Sequence, residues 1–396
     1  MPSVVICLHA HLPLRLKKYG FFDIGHSQDY FDEQESRRVL ERVAKDCFLP
    51  TNRTLLKLIR RHRGSFRISC SVSGMLLEQL EKGQNTVLES FRRLADTGCV
   101  EFVSGPWHHS LASLFSETEF REQVALHRRR VRALFGRRPQ TFRNTELIYG
   151  NDVARIAESM GFRVILAGGA DRLPGCDAAA LHRPAGCRKL KVLFRHDRFS
   201  DDFALRPAGA DRQPRTADEF ARRLAEGVHG DEIVSLFMDY RTFGGNNRTA
   251  TGMAGFPETF PGILLKRRDW RFLTPSEAVA QHAPAGEIDV PGQLFRAGSE
   301  KIGLTWPGNH MQIDAARTLY GLEDRVRATK SRKRIDVWRN LQASDHFCHM
   351  STENLAGGEI QGASNPFASP YDAYIHHMSI LKDFSGRIAG KTGERP

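Results

Sequence analysis

No run of 18 consecutive apolar residues occurs in the 396-residue chain, so the sequence offers no candidate transmembrane helix. The opening MPSVVICLHAHLP lacks a basic leader and meets His9 and His11 before any long apolar run, so it reads as a core strand rather than a signal peptide. Neither GxGxxG nor a Walker A loop is present, and GGADRLPG at 168–175 lacks phosphate-loop spacing and reads as a turn. The seven cysteines (7, 47, 70, 99, 176, 187 and 348) form no CxxC pair. Cys7, Cys70 and Cys99 sit in apolar runs and read as buried thiols, which suits a reducing cytoplasm better than a disulfide-stapled exterior. No repeat of 20–50 residues is visible, and the 34 glycines and 18 prolines are too scattered for a fibrous or linker protein.

What is present is a core-sized apolar fraction (40%), enough charge (26%) to argue against a membrane protein, and a net charge of +12 from 58 basic and 46 acidic residues. The basic residues cluster at 60–67, 127–138, 264–270 and 327–334. A nucleic-acid binder gathers such charge on one face among aromatics. Here the runs are dispersed along helix-like patterns and read as solvated faces, with a polyanion site or a partner-protein surface as the alternatives. No nucleic-acid motif accompanies them, and nucleic acid is not the expected partner.

The first 240 residues alternate between short β-type runs and helical patterns. Strands are expected at 4–10, 66–74, 100–105, 141–146, 162–169, 190–196 and 233–240. Helices are expected between them. That over 117–136 has Ser116 as N-cap and Gly136 as stop, and that over 216–227 opens with the capping pattern T-x-x-E. Seven such units predict an α/β fold, a (β/α)7 barrel-like domain over 1–280. Beyond lies a loop-rich stretch, then helical patterns at 309–329, 333–351 and 368–384. These predict a helical domain over 281–384 and a flexible tail at 385–396.

In a β/α barrel the chemistry sits at the C-terminal strand ends. Those ends carry His9 and His11, Ser73, Trp107 with His108 and His109, Arg143 with Glu146, Asp171, Arg195 with His196, and Asp239 with Tyr240. His9 and His11, two apart on a strand, point to one side. They could help hold a metal for hydrolysis together with His109, hydrogen-bond a substrate, or simply pack. Glu146 and Asp239 each follow an apolar strand, where a carboxylate is costly unless paired or solvated. Two carboxylates facing one another suit a retaining glycosidase. Alternatively, each acid is neutralised by its local arginine, Arg143 or Arg241. Trp107, beside His108 and His109, is the best aromatic candidate for stacking on a sugar. Trp306 and Asp345 lie in segments that could lean over the barrel mouth.

Taken in order, HAHLPLRL (9–16), SVSGMLLEQLE (71–81), HSLASLFSETEFREQV (109–124), FRNTELIY (142–149), FRHDRFSDDFALR (194–206), LFMDYRTFG (236–244), WRFLTPSEA (270–278), GNHMQ (308–312), LQASDHF (341–347) and NPFASPYDAYI (365–375) resemble glycoside hydrolase family 57. This is the α-amylase and 4-α-glucanotransferase group. The resemblance implies a (β/α)7 barrel with a helical domain helping to build the cleft. It implies retaining chemistry on an α-glucan or maltooligosaccharide, by hydrolysis or by transfer, without an obligatory cofactor or catalytic metal. It implies Glu146 as nucleophile and Asp239 as general acid/base. It also implies that His11, His109, Trp107, Arg195, Tyr240, Trp306 and Asp345 border the substrate. The sequence departs from the family pattern at Gly105, Gly168, Arg241 and Gly245, where glutamates are expected. Arg241 could pair with Asp239, and a cation beside a carboxylate favours the ionised form, the wrong one for a proton donor. A weakly active or inactive glucan-binding relative is therefore the alternative.

Overall fold

The computed structural model describes residues 1–204, 216–244, 255–267, 269–295, 308–352 and 365–389. All seven expected strands are found: β1 (Ser3–Ala10), β2 (Ile68–Val72), β3 (Val100–Val103), β4 (Thr141–Arg143), β5 (Val164–Ala167), β7 (Lys191–Phe194) and β8 (Ile233–Asp239). Three short strands were not anticipated: β6 (Leu181–Pro184), β9 (Arg271–Phe272) and β10 (Gly286–Ile288).

Among the described residues the strands do not close into one barrel ladder. One sheet runs β3-β2-β1-β8, with β9 also on β1, and the other runs β10-β6-β7-β5-β4. A parallel bridge between Ser104 and Phe142 joins them on one side, through Ser104 N donating to Thr141 O (3.0 Å) and Arg143 N donating to Ser104 O (2.8 Å). On the other side β7 is flanked by β5 and by the antiparallel β6, so both its edges are taken. It has no edge left for β8. The links there lie past the end of β7, among them His196 N donating to Ser235 O (2.8 Å) and Arg195 Nε donating to Phe237 O (2.9 Å).

Strands β1 and β2 are buried on both faces, as parallel strands covered by helices require. Val5 and Cys7 of β1 meet Val103, Val164, Leu166, Leu193, Ile233 and Phe237 in one apolar cluster. Because side chains alternate, the next residue on the same face of β1 is His9, and the next on β8 is Asp239. The expected turn at 168–175 holds a short 3-10 turn, Ala170–Arg172. Gly169, at φ +81, leads into it, and a Cβ there would stand 2.5 Å from Phe295 O.

Chain contacts divide the molecule into two units. The first comprises Met1–His11, Leu40–Gly105 and Val124–Ala297, and the second Leu12–Val39, Pro106–Gln123 and Gly298–Pro396. The units interleave along the chain, where the sequence pattern suggested a single cut at 280. In the second unit, the expected long helices are broken. They appear as His310–Tyr320 and Glu323–Ala328, then Arg332–Asn340 and Ser344–Cys348. The helix Pro370–Ala389 runs past 384 into the stretch expected to be a tail. Arg387 bonds Asp383 (2.6 Å) and Ile388 is buried, which holds that last turn in place.

The second unit is organised around Glu119. Its carboxylate is fully buried and accepts from Arg327 (2.8 Å), from Arg339 (2.8 and 2.9 Å) and from Gln123 (2.8 Å). Removing one partner of a buried ion pair leaves the other charge uncompensated. Glu119→Ala is expected to lower stability by about 3 kcal/mol, read as a shift of the urea midpoint at unchanged slope.

Candidate active site

In the first unit, His9 lies in register with Ser71 of β2 and Asp239 of β8, so three adjacent strands present them side by side. His9 Nδ1 is 3.2 Å from both the Ser71 hydroxyl and its carbonyl. His11 Nδ1 is 2.7 Å from Ser73 Oγ. The two rings are nearly parallel, with centroids 6.1 Å apart. Among the described residues, no three His, Cys, Asp or Glu side chains gather so as to hold a metal ion.

Glu146 follows β4 in a 3-10 turn, Thr145–Leu147, that Asn144 opens by accepting from Thr145 N (2.9 Å). Its backbone is left-handed (φ 51, ψ 23), and so is that of Leu147 (φ 59). Non-glycine residues pay about 1–3 kcal/mol each for such conformations, which persist where the surroundings impose them. Here Leu147 is held in the core and Gly168 N donates to its carbonyl (3.3 Å). Glu146 is thereby displayed, half-buried, at the strand end.

Arg143 links the two carboxylates electrically. Desolvation pushes its guanidinium below the ordinary arginine value, while the charges of Glu146 and Asp239 act the other way. Asp239 is also engaged by Arg241, as the sequence suggested. The Arg241 N–H donates to Oδ1 (2.8 Å), and its guanidinium bonds both oxygens (3.1 and 3.3 Å). Arg241 and Asp239 are 69% and 42% exposed at the side chain, so water screens the pair.

Two further first-unit candidates are buried. Tyr240 packs against Phe48 and Phe91, and its hydroxyl donates to Asn52. Arg195 is 1% exposed, donates to Phe237 O (2.9 Å), and pairs with Asp197 and with Asp201 (2.6 Å). Both side chains are committed to protein groups.

In the second unit, the segments bearing His109 and Asp345 are brought together. Ser110 bridges Ala343, and Ser344 N donates to His109 O (3.0 Å). His109 is left-handed (φ 51) and buried, and Trp107 is buried beside His108. Gln123 pins this loop, accepting from His108 N (3.2 Å) and Ser110 Oγ (2.9 Å). Asp345 is half-buried and opposes the burial that pushes His349 down to about 4. Trp306 and Gly245 lie outside the described residues.

The departure at Gly105 has a steric basis. A Cβ at 105 would stand 2.5 Å from Arg143 O, so this backbone excludes any side chain there. Sequence inspection missed His127, which bonds the ends of two strands from within a basic helix run. Its place directly before three arginines carried no signal of burial.

The family model described as Glycosyl hydrolase family 57 matches residues 5–291. The chain belongs to glycosyl hydrolase family 57. This is a family of enzymes acting on glycans. A Methanocaldococcus jannaschii protein named a candidate alpha-amylase is 32% identical over 391 residues, covering 94% of this chain and 82% of the relative. Among solved structures, the 4-alpha-glucanotransferase of Thermococcus litoralis superposes with a TM-score of 0.68 at 14% identity. That match covers 88% of this chain, which spans 56% of the glucanotransferase's length. A family 57 branching enzyme from Thermococcus kodakaraensis gives a TM-score of 0.66 at 16% identity, covering 100% of this chain and 92% of the other. At these identities the structural matches speak for the fold.

Two outcomes follow. Gly105→Glu is expected to destabilise the protein rather than add a working cleft acid, with a lowered melting temperature as the readout. The buried imidazoles of His108, His127 and His377 have pKa values held down to about 3, 4 and 3, chiefly by burial. The unfolded chain binds their protons at about 6.5, so their contribution is complete above that pH and is lost as pH falls toward 3–4. The melting temperature should decline across that window, and His127→Gln should flatten the decline.

Proposed function

We propose that the protein is a retaining α-glucan-active enzyme of the α-amylase type, with Glu146 as nucleophile and Asp239 as general acid/base. The observation that carries this is the display of Glu146 in the turn after β4 and of Asp239 at the end of β8, both in the first unit of a family 57 chain. Glu146, presented by a strained turn, attacks the anomeric carbon as the leaving oxygen takes a proton from Asp239. In the second step Asp239 removes a proton from the incoming hydroxyl, whose oxygen displaces the Glu146 carboxylate from the anomeric carbon, so two inversions give retention. If water supplies that hydroxyl the reaction is hydrolysis, and if a second glucan supplies it the reaction is 4-α-glucanotransfer. His11, whose Nδ1 lies 2.7 Å from Ser73 Oγ, is the candidate to hydrogen-bond a sugar hydroxyl.

A specific observation favours a second reading, a glucan-binding relative of low activity. Arg241 donates to both oxygens of Asp239, so the candidate acid/base already has a cation bonded where a leaving oxygen would have to approach.

Incubation with maltooligosaccharides, followed by proton NMR of the anomeric signals, tests both. Under the first reading, product forms with α-configuration and Glu146→Ala lowers turnover by more than about a thousandfold. Under the second, wild-type turnover is slight and Arg241→Gln raises it severalfold. Absence of turnover in wild type and in Arg241→Gln alike would overturn the catalytic assignment.

A further inference from the structure

His127 belongs to the helix Glu117–Phe135 and to the run HRRR, yet it is only 1% exposed. Its Nε2 lies 2.7 Å from Val72 O, at the end of β2. Its Nδ1 lies 3.2 Å from Gly105 N and 3.2 Å from Ser104 Oγ, just past β3. A backbone N–H can only donate and a carbonyl can only accept. Nδ1 therefore accepts from Gly105, Nε2–H donates to Val72, and the imidazole is neutral in one tautomer.

Both bonded groups border the candidate active site. Val72 lies between Ser71 and Ser73, the partners of His9 and His11. Ser104 exchanges backbone hydrogen bonds with Thr141 and Arg143. The Gly105 backbone is pressed so close to the Arg143 carbonyl that a Cβ could not fit. Arg143 in turn leads through Asn144 and Thr145 to Glu146. One side chain thus sets the ends of β2 and β3, and through β3 the start of the Glu146 turn.

We propose that His127 is a positioning residue, a neutral imidazole that fixes the ends of β2 and β3 so that the His9/His11 serines and the Arg143–Glu146 turn keep their mutual places. Only the kinetic consequence rests on the catalytic reading above.

Two substitutions separate its two bonds. His127→Asn keeps an acceptor near the Nδ1 position for Gly105 and loses reach to Val72. His127→Gln keeps a donor for Val72 and loses the acceptor for Gly105. On a maltooligosaccharide each is expected to lower kcat by about 10- to 100-fold, the loss that misplacement by an ångström produces, with KM within about threefold. The Gly105 amide proton resonance should move in His127→Gln and stay in His127→Asn. Wild-type kcat in both variants, or equal scaling of kcat/KM with the fraction folded, overturns the proposal. Should the wild type turn over no glucan, carbon-13 titration of the Glu146 carboxyl decides separately. A midpoint displaced in the variants supports the proposal, and one unchanged in both overturns it. Nitrogen-15 shifts showing a proton on Nδ1 of His127 in the wild type would also overturn it.

Discussion

Strand β1 is buried on both faces, and its neighbours β2 and β8 are nearly as enclosed. An unpaired polar side chain inside such a sheet costs several kcal/mol. Only small hydroxyls such as Ser69 and Ser235 are accommodated within the strands, and the imidazole and carboxylate side chains stand at the last register positions. His9, Ser71 and Asp239 occupy neighbouring positions there because parallel pairing in register leaves them no other place. The chemistry of the pole is thus a consequence of how thoroughly the strands beneath it are covered.

The same close packing limits what the pole can hold. Gly105 lies against the Arg143 carbonyl, and Gly169 against that of Phe295. At the first, a cleft acid is excluded by the backbone itself. Arg241 supplies a cation on Asp239 close to where relatives' glutamates are expected. The positive balance of the chain is accordingly felt at the pole as well as on its helices. Strain runs the other way at Glu146 and Leu147, where two successive left-handed residues are imposed by a buried leucine and a capped turn.

Much of this was legible in the residue pattern. Seven apolar runs marked seven strands, and the N-caps Ser116 and Thr216 accept the backbone N–H groups their positions implied. Glu146, Asp239 and Arg241 were legible because charge at the end of an apolar strand has few explanations. Other residues were not. Tyr240 and Arg195 stand beside strand ends as a substrate contact would, yet their side chains turn to Asn52 and to Asp197 and Asp201. His127 sits in a row of arginines whose spacing resembles a solvated face.

The sequence by itself determined the strands, the polar residues at their ends and the family, because alternation and burial act within a few neighbouring residues. Only the tertiary structure decided that β6 takes the edge of β7 and leaves the ladder unclosed. It alone decided which histidines are neutral and whom they hold, and which loops join the helical unit. Those outcomes depend on contacts between residues far apart in the chain, such as His127 with Val72 or Glu119 with Arg339. No local pattern specifies such contacts, because each partner is set by how the whole core packs.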